Sequence, residues 1–215
     1  MYRTDKFDEP PTSAEVLWDP EYAGHIATQD VSMTIFMAAR ILYGKDVDVY
    51  NLSDEQLEAV KQKLIEQKPL LRTYWSTGGD LISLYAAGEV WVSETWGGYQ
   101  VAELQAQGIP VAEVIPVENA DGWQDVWVVL KDTPNLDCAY EWLNFASGPQ
   151  GQCGMVKAVG YSPANVAAVQ ECLTEEELSV LHLDDPDYIN SLDFWQLQPR
   201  LDAYIETWNA VKTAE

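Results

Sequence analysis

The residues best suited to chemistry stand together at Gly122-Trp123-Gln124-Asp125-Val126-Trp127. Two indoles bracket a carboxylate. In a strand, side chains alternate faces, so Trp123, Asp125 and Trp127 share one side and Gln124, Val126 and Val128 the other. A carboxylate set between aromatics is costly in a core unless something pairs with it. It suits a wall that receives a cation. The local pattern leaves two readings open: such a wall, or an edge strand with a solvated Asp125 and two packing tryptophans. The same theme, an aromatic or an acid at a turn or strand end, recurs at Asp30, Trp96, Tyr161 and the Trp195-Gln196 pair.

Catalytic templates come out empty. The chain holds no GxSxG, Walker loop, GxGxxG or HExxH. Acidic pairs such as Asp184/Asp185 carry no information in so acidic a chain, and His182, after an acidic helix, reads as a surface residue. No catalytic residue and no cofactor is expected. Cys138, Cys153 and Cys172 lack CxxC spacing, and with only His25 and His182 beside them a metal site is not expected. The cysteines fit either one disulfide with one free thiol or three buried thiols.

Composition sets the outer bounds. The 215 residues, 47% of them hydrophobic, suffice for one large domain or two small lobes. The formal charge of −23, from 35 acidic and 12 basic residues, argues against nucleic acid, which needs clustered Lys and Arg. It also disfavours anionic membrane surfaces. Most of this acidity reads as a solubilising surface, although it also fits a cationic ligand. No apolar run approaches the ~20 residues of a membrane span. Met1-Tyr2-Arg3-Thr4-Asp5 opens into polar chain rather than a signal peptide.

These candidate residues need elements to hold them. Ser32 can cap a helix running to Tyr43, which places Asp30 just before its N-terminus. Ser53-Asp54-Glu55-Gln56 is a capping box opening a helix that buries Leu57, Val60 and Leu64 and ends at Pro69. A helix over Asp80–Ala87, a β-rich stretch over Glu89–Thr95 leading to Trp96, a helix over Tyr99–Gln107 and a strand over Val111–Val117 follow. Beyond the Trp123 strand, Asn135–Ser147 reads as a helix with Cys138, Trp142 and Phe145 inward, then Gln150–Ala158 as another. Thr174-Glu175-Glu176-Glu177 is a second capping box, and Asp184-Asp185-Pro186 breaks the chain. The last helix, about Gln198–Lys212, buries a stripe of Leu201, Tyr204, Ile205, Trp208 and Val211. The alternation predicts an α/β sandwich with a largely parallel sheet.

Taken in order, several motifs resemble the polyamine-binding (spermidine/putrescine) branch of the type 2 periplasmic solute-binding proteins of ABC importers. Pro11-Thr12-Ser13 with Leu17-Trp18-Asp19-Pro20-Glu21-Tyr22-Ala23-Gly24 is similar to the family's PPTSW..LW.PEYKG segment. Gly88-Glu89-Val90 through Trp96-Gly97-Gly98 resembles the strand that ends in a ligand-contacting Trp. Trp123-Gln124-Asp125 resembles its W-x-D, Gly160-Tyr161-Ser162-Pro163 with Asn165 its G-Y-x-x-P-N region, and Trp195-Gln196 its late W-Q. The resemblance covers essentially the whole chain. It implies an α/β fold of the type 2 periplasmic-binding-protein kind, non-catalytic and outside the cytoplasm, whose two lobes close on ligand and dock on a permease.

Carried over residue by residue, the resemblance implies a ligand cage. Trp96, Trp123 and Tyr161 would wall a methylene chain, with cation–π contacts of roughly 0.5–2 kcal/mol each. Asp30 and Asp125 would hold ammonium groups, and Gln196 would add a neutral acceptor. One departure is Met33, which stands where the family's spermidine binder has a second acid; Glu94 could supply charge instead. The other is length. The family has a lobe's worth of chain before the part matched by Met1, so the sequence reads as N-terminally truncated. Residues 1–121 and 170–215 would then form a complete second lobe, and residues 122–169 a returning part of the first. The resulting expectation is capture of a putrescine- or spermidine-like cation for an ABC permease. The alternatives are another solute, such as a quaternary ammonium compound or a sugar, or a lobe that self-associates through the orphan strand Val126–Leu130 without binding ligand.

Overall fold

The computed structural model describes residues 1–185 and 187–214. Pro186, read above as part of a chain break, lies outside them. The chain divides into two compact units: residues 1–121 with 195–215, and residues 122–194.

Unit 1 begins with β1 (Tyr2–Arg3), β2 (Ile26–Gln29), α1 (Thr34–Tyr43), α2 (Asp54–Gln67) and β3 (Leu71–Trp75). It continues through α3 (Gly78–Ala86), β4 (Val92–Ser93), α4 (Gly98–Ala106) and β5 (Val111–Ala112). Then β6 (Ala120–Gly122) leads into unit 2, which holds α5 (Leu136–Ser147), α6 (Pro149–Val159), α7 (Val166–Val169), α8 (Glu175–Val180) and β7 (Leu192–Phe194). The chain closes with α9 (Leu201–Thr213) in unit 1. No helix is long and apolar enough to cross a membrane, among the described residues.

Five strands form the sheet of unit 1, in the order β3-β2-β4-β1-β5. β2 runs parallel to β3 and β4, while β1 is antiparallel to β4 and β5. The sheet is therefore mixed rather than largely parallel. β1 precedes the first strand–helix unit and enters from the opposite end, so no crossover constrains its direction.

Helices supply the rest of the core. Leu57, Val60 and Leu64 of α2 recur at helical spacing, are nearly inaccessible, and pack with Ile35 and Phe36 of α1 and Tyr204, Trp208 and Val211 of α9. Each such side chain contributes roughly 1.5–3 kcal/mol by leaving water. The buried Tyr204 phenol donates to Val49 O at 2.7 Å and accepts the Leu52 N–H at 2.8 Å, so its polar end is satisfied. On α9, Leu201 and Ile205 stay exposed, which narrows the expected buried stripe to Tyr204, Trp208 and Val211.

The capping boxes at Ser53/Gln56 and Thr174/Glu177 are present. A third, Thr77/Asp80, starts α3 earlier than expected, because Asp80 is not its first residue but its third, whose carboxylate accepts the Thr77 N–H at 2.9 Å. Ser32 does not cap α1. Its hydroxyl faces Met33 Sδ at 3.6 Å, Met33 occupies the cap position, and the helix starts at Thr34, whose hydroxyl donates to Gln29 O.

Unit 2 is mostly helical and has a small core of Val156, Val169, Leu173 and Leu181. A disulfide joins Cys153 to Cys172, and Cys138 is free and exposed. That bond and the shared core tie α7 and α8 to α6. The unit accordingly runs to Phe194, past the return near residue 170 expected from the resemblance. β6 and β7 form a separate two-stranded sheet.

Two expectations in this unit fail. Residues 123–130 form no strand, and Trp127 is 67% exposed and Leu130 76% exposed rather than part of a core. A strand is defined by the ladder it joins, and among the described residues no strand pairs with this segment. On α5, Trp142 and Phe145 are about half exposed and Cys138 is exposed, so the apolar stripe of that helix is not turned inward.

Candidate functional site

In unit 1 the candidate residues gather at the C-terminal ends of β2 and β4, where helices begin. Asp30 follows β2 directly, its N–H bonded to Trp75 O at 2.8 Å. Its carboxylate is not waiting for a ligand: Oδ1 accepts from Lys212 Nζ at 2.8 Å and from Trp208 Nε1 at 3.0 Å. The bond to Lys212 leads in holding the Asp30 carboxyl below its ordinary range, and Trp208 adds to it. Tyr74, next along β3, is pushed up to about 12 by burial and by the nearby Asp30 charge.

Trp96 lies past β4 and packs edge to face on Trp75, with ring centroids 5.3 Å apart. Gly78 makes room for it, since a Cβ there would come within 3.2 Å of the Trp96 ring. The Trp96 N–H donates to Gln100 Oε1 at 2.7 Å, which fixes the backbone that carries the ring. The indole is half-buried and keeps part of its surface open.

Glu94 follows β4 directly and ties it to the end of β2. Its Oε2 accepts the Gln29 N–H at 2.9 Å. Burial pushes its carboxyl up to about 7, against the pull of that backbone bond and with a further push from Asp121. Asp121 is itself held by Arg40, a nearly inaccessible guanidinium, at 2.7 Å. Gln196 sits just before α9 with an exposed side chain.

In unit 2 the structure brings Trp123 and Tyr161 together, edge to face at 5.8 Å with their planes 81° apart. The Trp123 ring follows Gly122, where a Cβ would lie 3.2 Å from Leu192 and 3.3 Å from Phe194 and would crowd both side chains. Tyr161 stands after the left-handed Gly160 that ends α6. Asp125 is exposed on the irregular segment, so strand alternation does not place it beside Trp123. The unit thus offers an aromatic corner with a nearby acid in sequence. Half-buried rings at such a corner can offer a face to an alkyl chain or a cation.

Sequence reasoning missed Lys212 and Trp208 as the partners of Asp30. No local signal could have found them, because they lie 182 and 178 positions away. Among the described residues no group of three or more His, Cys, Asp or Glu gathers as a metal site would require.

Comparison with known proteins adds a family frame. The family model described as bacterial extracellular solute-binding protein matches residues 1–179. The gamma-aminobutyric acid-binding protein of Pseudomonas aeruginosa is 28% identical over 168 residues, covering 76% of this chain and 47% of that protein. The putrescine-binding periplasmic protein PotF of Escherichia coli is 26% identical over 144 residues, covering 65% of this chain and 38% of that one. The chain thus spans about half or less of the length of these curated relatives. A structure from Listeria monocytogenes, provisionally assigned as a spermidine/putrescine ABC transporter, superposes with a TM-score of 0.80 at 23% identity, over 99% of this chain and 65% of that one. The likeness establishes a periplasmic-binding-protein fold.

Proposed function

The chain belongs to the bacterial extracellular solute-binding protein family, and on that premise we propose that it serves, without catalysis, to capture a small organic solute bearing a primary ammonium, a polyamine or an amino acid of similar length, for an ABC permease outside the cytoplasm. The observation that carries this reading is the Trp123–Tyr161 corner, an edge-to-face aromatic pair two residues from Asp125. A desolvated alkylammonium needs flat apolar surface for its methylenes and carboxylates for its charge. Trp96 and Asp30 in unit 1, with Gln196, are the further ligand positions in this proposal. Relatives named for putrescine and for gamma-aminobutyric acid support an ammonium-bearing solute as the shared chemistry.

A thermal-shift panel with putrescine, spermidine, 4-aminobutanoate, glycine betaine and glucose tests this. A rise in melting temperature with the primary amines, lost in Trp123→Ala, is the expected result. A response to glucose alone would sink it.

A second reading has its own support. The run Val126–Leu130 is exposed, with Val128 at 74%, and contiguous apolar surface of this kind promotes association. We propose that the chain self-associates through this run. Light scattering on size-exclusion fractions should then show dimers or larger species that Trp127→Ser with Leu130→Ser converts to monomers.

A further inference from the structure

The carboxylate proposed above as an ammonium site in unit 1 is already answered from within the unit. Asp30 Oδ1 accepts both Lys212 Nζ, at 2.8 Å, and Trp208 Nε1, at 3.0 Å. Neither end of this arrangement is loose. The Asp30 backbone is bonded to Trp75 O, Trp208 is buried, and the Lys212 carbonyl accepts the Lys68 ammonium at 3.0 Å. The Lys212 ammonium also lies 5.9 Å from the Trp208 ring centroid. Yet the ion pair is reachable, because the side chains of Lys212 and Asp30 remain 34% and 32% exposed. Three residues on, where a second acid would reinforce the site, stands Met33, half-buried against the core. This end of unit 1 therefore presents an ion pair instead of two anions.

We propose that Lys212 is a specificity-determining residue that converts the Asp30 position from an ammonium site into an ion pair receiving a carboxylate, so that the solute is a zwitterionic ω-amino acid rather than a diamine. The inference rests on the reading above that these positions bind an ammonium solute. A diamine reaches Asp30 only by displacing Lys212 or by setting its own ammonium beside that one, and like charges at such range repel. Asp30 Oδ1 already accepts two donors, whereas the Lys212 ammonium gives Asp30 one of its three hydrogens, so the carboxylate of an ω-amino acid meets Lys212 as a charge-assisted acceptor and leaves the Asp30–Lys212 bond in place. Discrimination comes as much from the repulsion of the wrong ligand as from attraction of the right one.

Calorimetry on the full chain with 4-aminobutanoate and putrescine, two ligands of matched length, tests the inference. The wild-type protein is expected to bind 4-aminobutanoate at least about tenfold more tightly, a step typical of one charge contact. Lys212→Met should reverse the order of the two ligands, and Lys212→Arg should preserve it. If Lys212→Met does not fold, as judged by thermal melting, Lys212→Gln supplies the same comparison. An unchanged ratio in a folded neutral variant, or tighter putrescine binding by the wild type, overturns this inference alone. Binding of neither ligand by the wild type overturns the proposed function together with it.

Discussion

The α2–α9 layer of unit 1 and α5 of unit 2 are made of the same material, amphipathic helices carrying leucines and tryptophans, yet they end in opposite conditions. In the first, Leu64, Tyr204, Trp208 and Val211 are sealed against each other and against α1. In the second, Tyr140, Trp142 and Phe145 are each about half exposed, and the Trp127–Trp142 and Trp142–Phe145 contacts are made among side chains still open to water. An apolar stripe is a requirement for a partner surface, not evidence of one. Unit 1 meets the requirement with its own chain. Unit 2 gathers a core of four buried side chains and adds a covalent tie, Cys153–Cys172.

If that contrast is right, deleting buried volume should separate the units most sharply. Leu64→Ala should lower stability by about 2–5 kcal/mol, read from urea unfolding, because Leu64 is 1% exposed and leaves a cavity. Trp142→Ala, a larger truncation, should cost under about 1 kcal/mol at its half-exposed position. Equal costs would mean that α5 is covered in solution.

The disulfide offers the converse test. It closes a loop of sequence separation 19, for which chain entropy suggests about 3 kcal/mol. Reduction should therefore raise amide exchange through α6, α7 and α8 and leave the protection of α2 and α9 unchanged. Exchange that rises equally in α2 would show that the two units share one cooperative transition.

Next in size is a pH effect confined to unit 1. The folded Glu94 carboxyl titrates near 7, above its ordinary unfolded value of 4.5. The folded state then holds a proton that the unfolded state has released, so stability declines as pH rises from about 4.5 to about 7 and levels off beyond. Glu94→Gln keeps an acceptor for the Gln29 N–H and should flatten this decline, gaining roughly 1–3 kcal/mol at pH 8. A decline of the same slope in the variant would place its source elsewhere. The smallest effect expected is at a cap of unit 2: Thr174→Ala, which removes the hydroxyl acceptor of the Glu177 N–H, should cost about 1 kcal/mol and loosen α8 alone in exchange measurements.

Much of unit 1 was legible because its signals are local. The Ser53–Gln56 box and the spacing of Leu57, Val60 and Leu64 define α2 without reference to anything distant. The Thr77–Asp80 box escaped because its third residue is Asp rather than the Glu or Gln of the usual pattern, although the geometry is the same. The expected strand at Trp123 failed for a different reason. Alternation of side chains says which face a residue would take in a ladder, but supplies no neighbouring strand. At the candidate site, the residue types at Asp30, Trp96, Trp123 and Tyr161 could be singled out from their sequence setting alone. That Asp30 is claimed by Lys212 could not, because that contact exists only once α9 has folded back on β2.

Cys138 bears on how the protein should be handled. It is an exposed thiol in the same unit as the Cys153–Cys172 bond. A thiolate there can attack a disulfide of its own or of another molecule. Preparations from a reducing cytoplasm, with three thiols at risk of being paired at random on exposure to air, would contain covalent dimers linked through Cys138. These would run on a sizing column like the non-covalent dimers proposed for the Val126–Leu130 surface. Cys138→Ser, with secretion into an oxidising compartment, leaves the native bond as the sole pairing and makes any remaining dimer a property of the apolar surface.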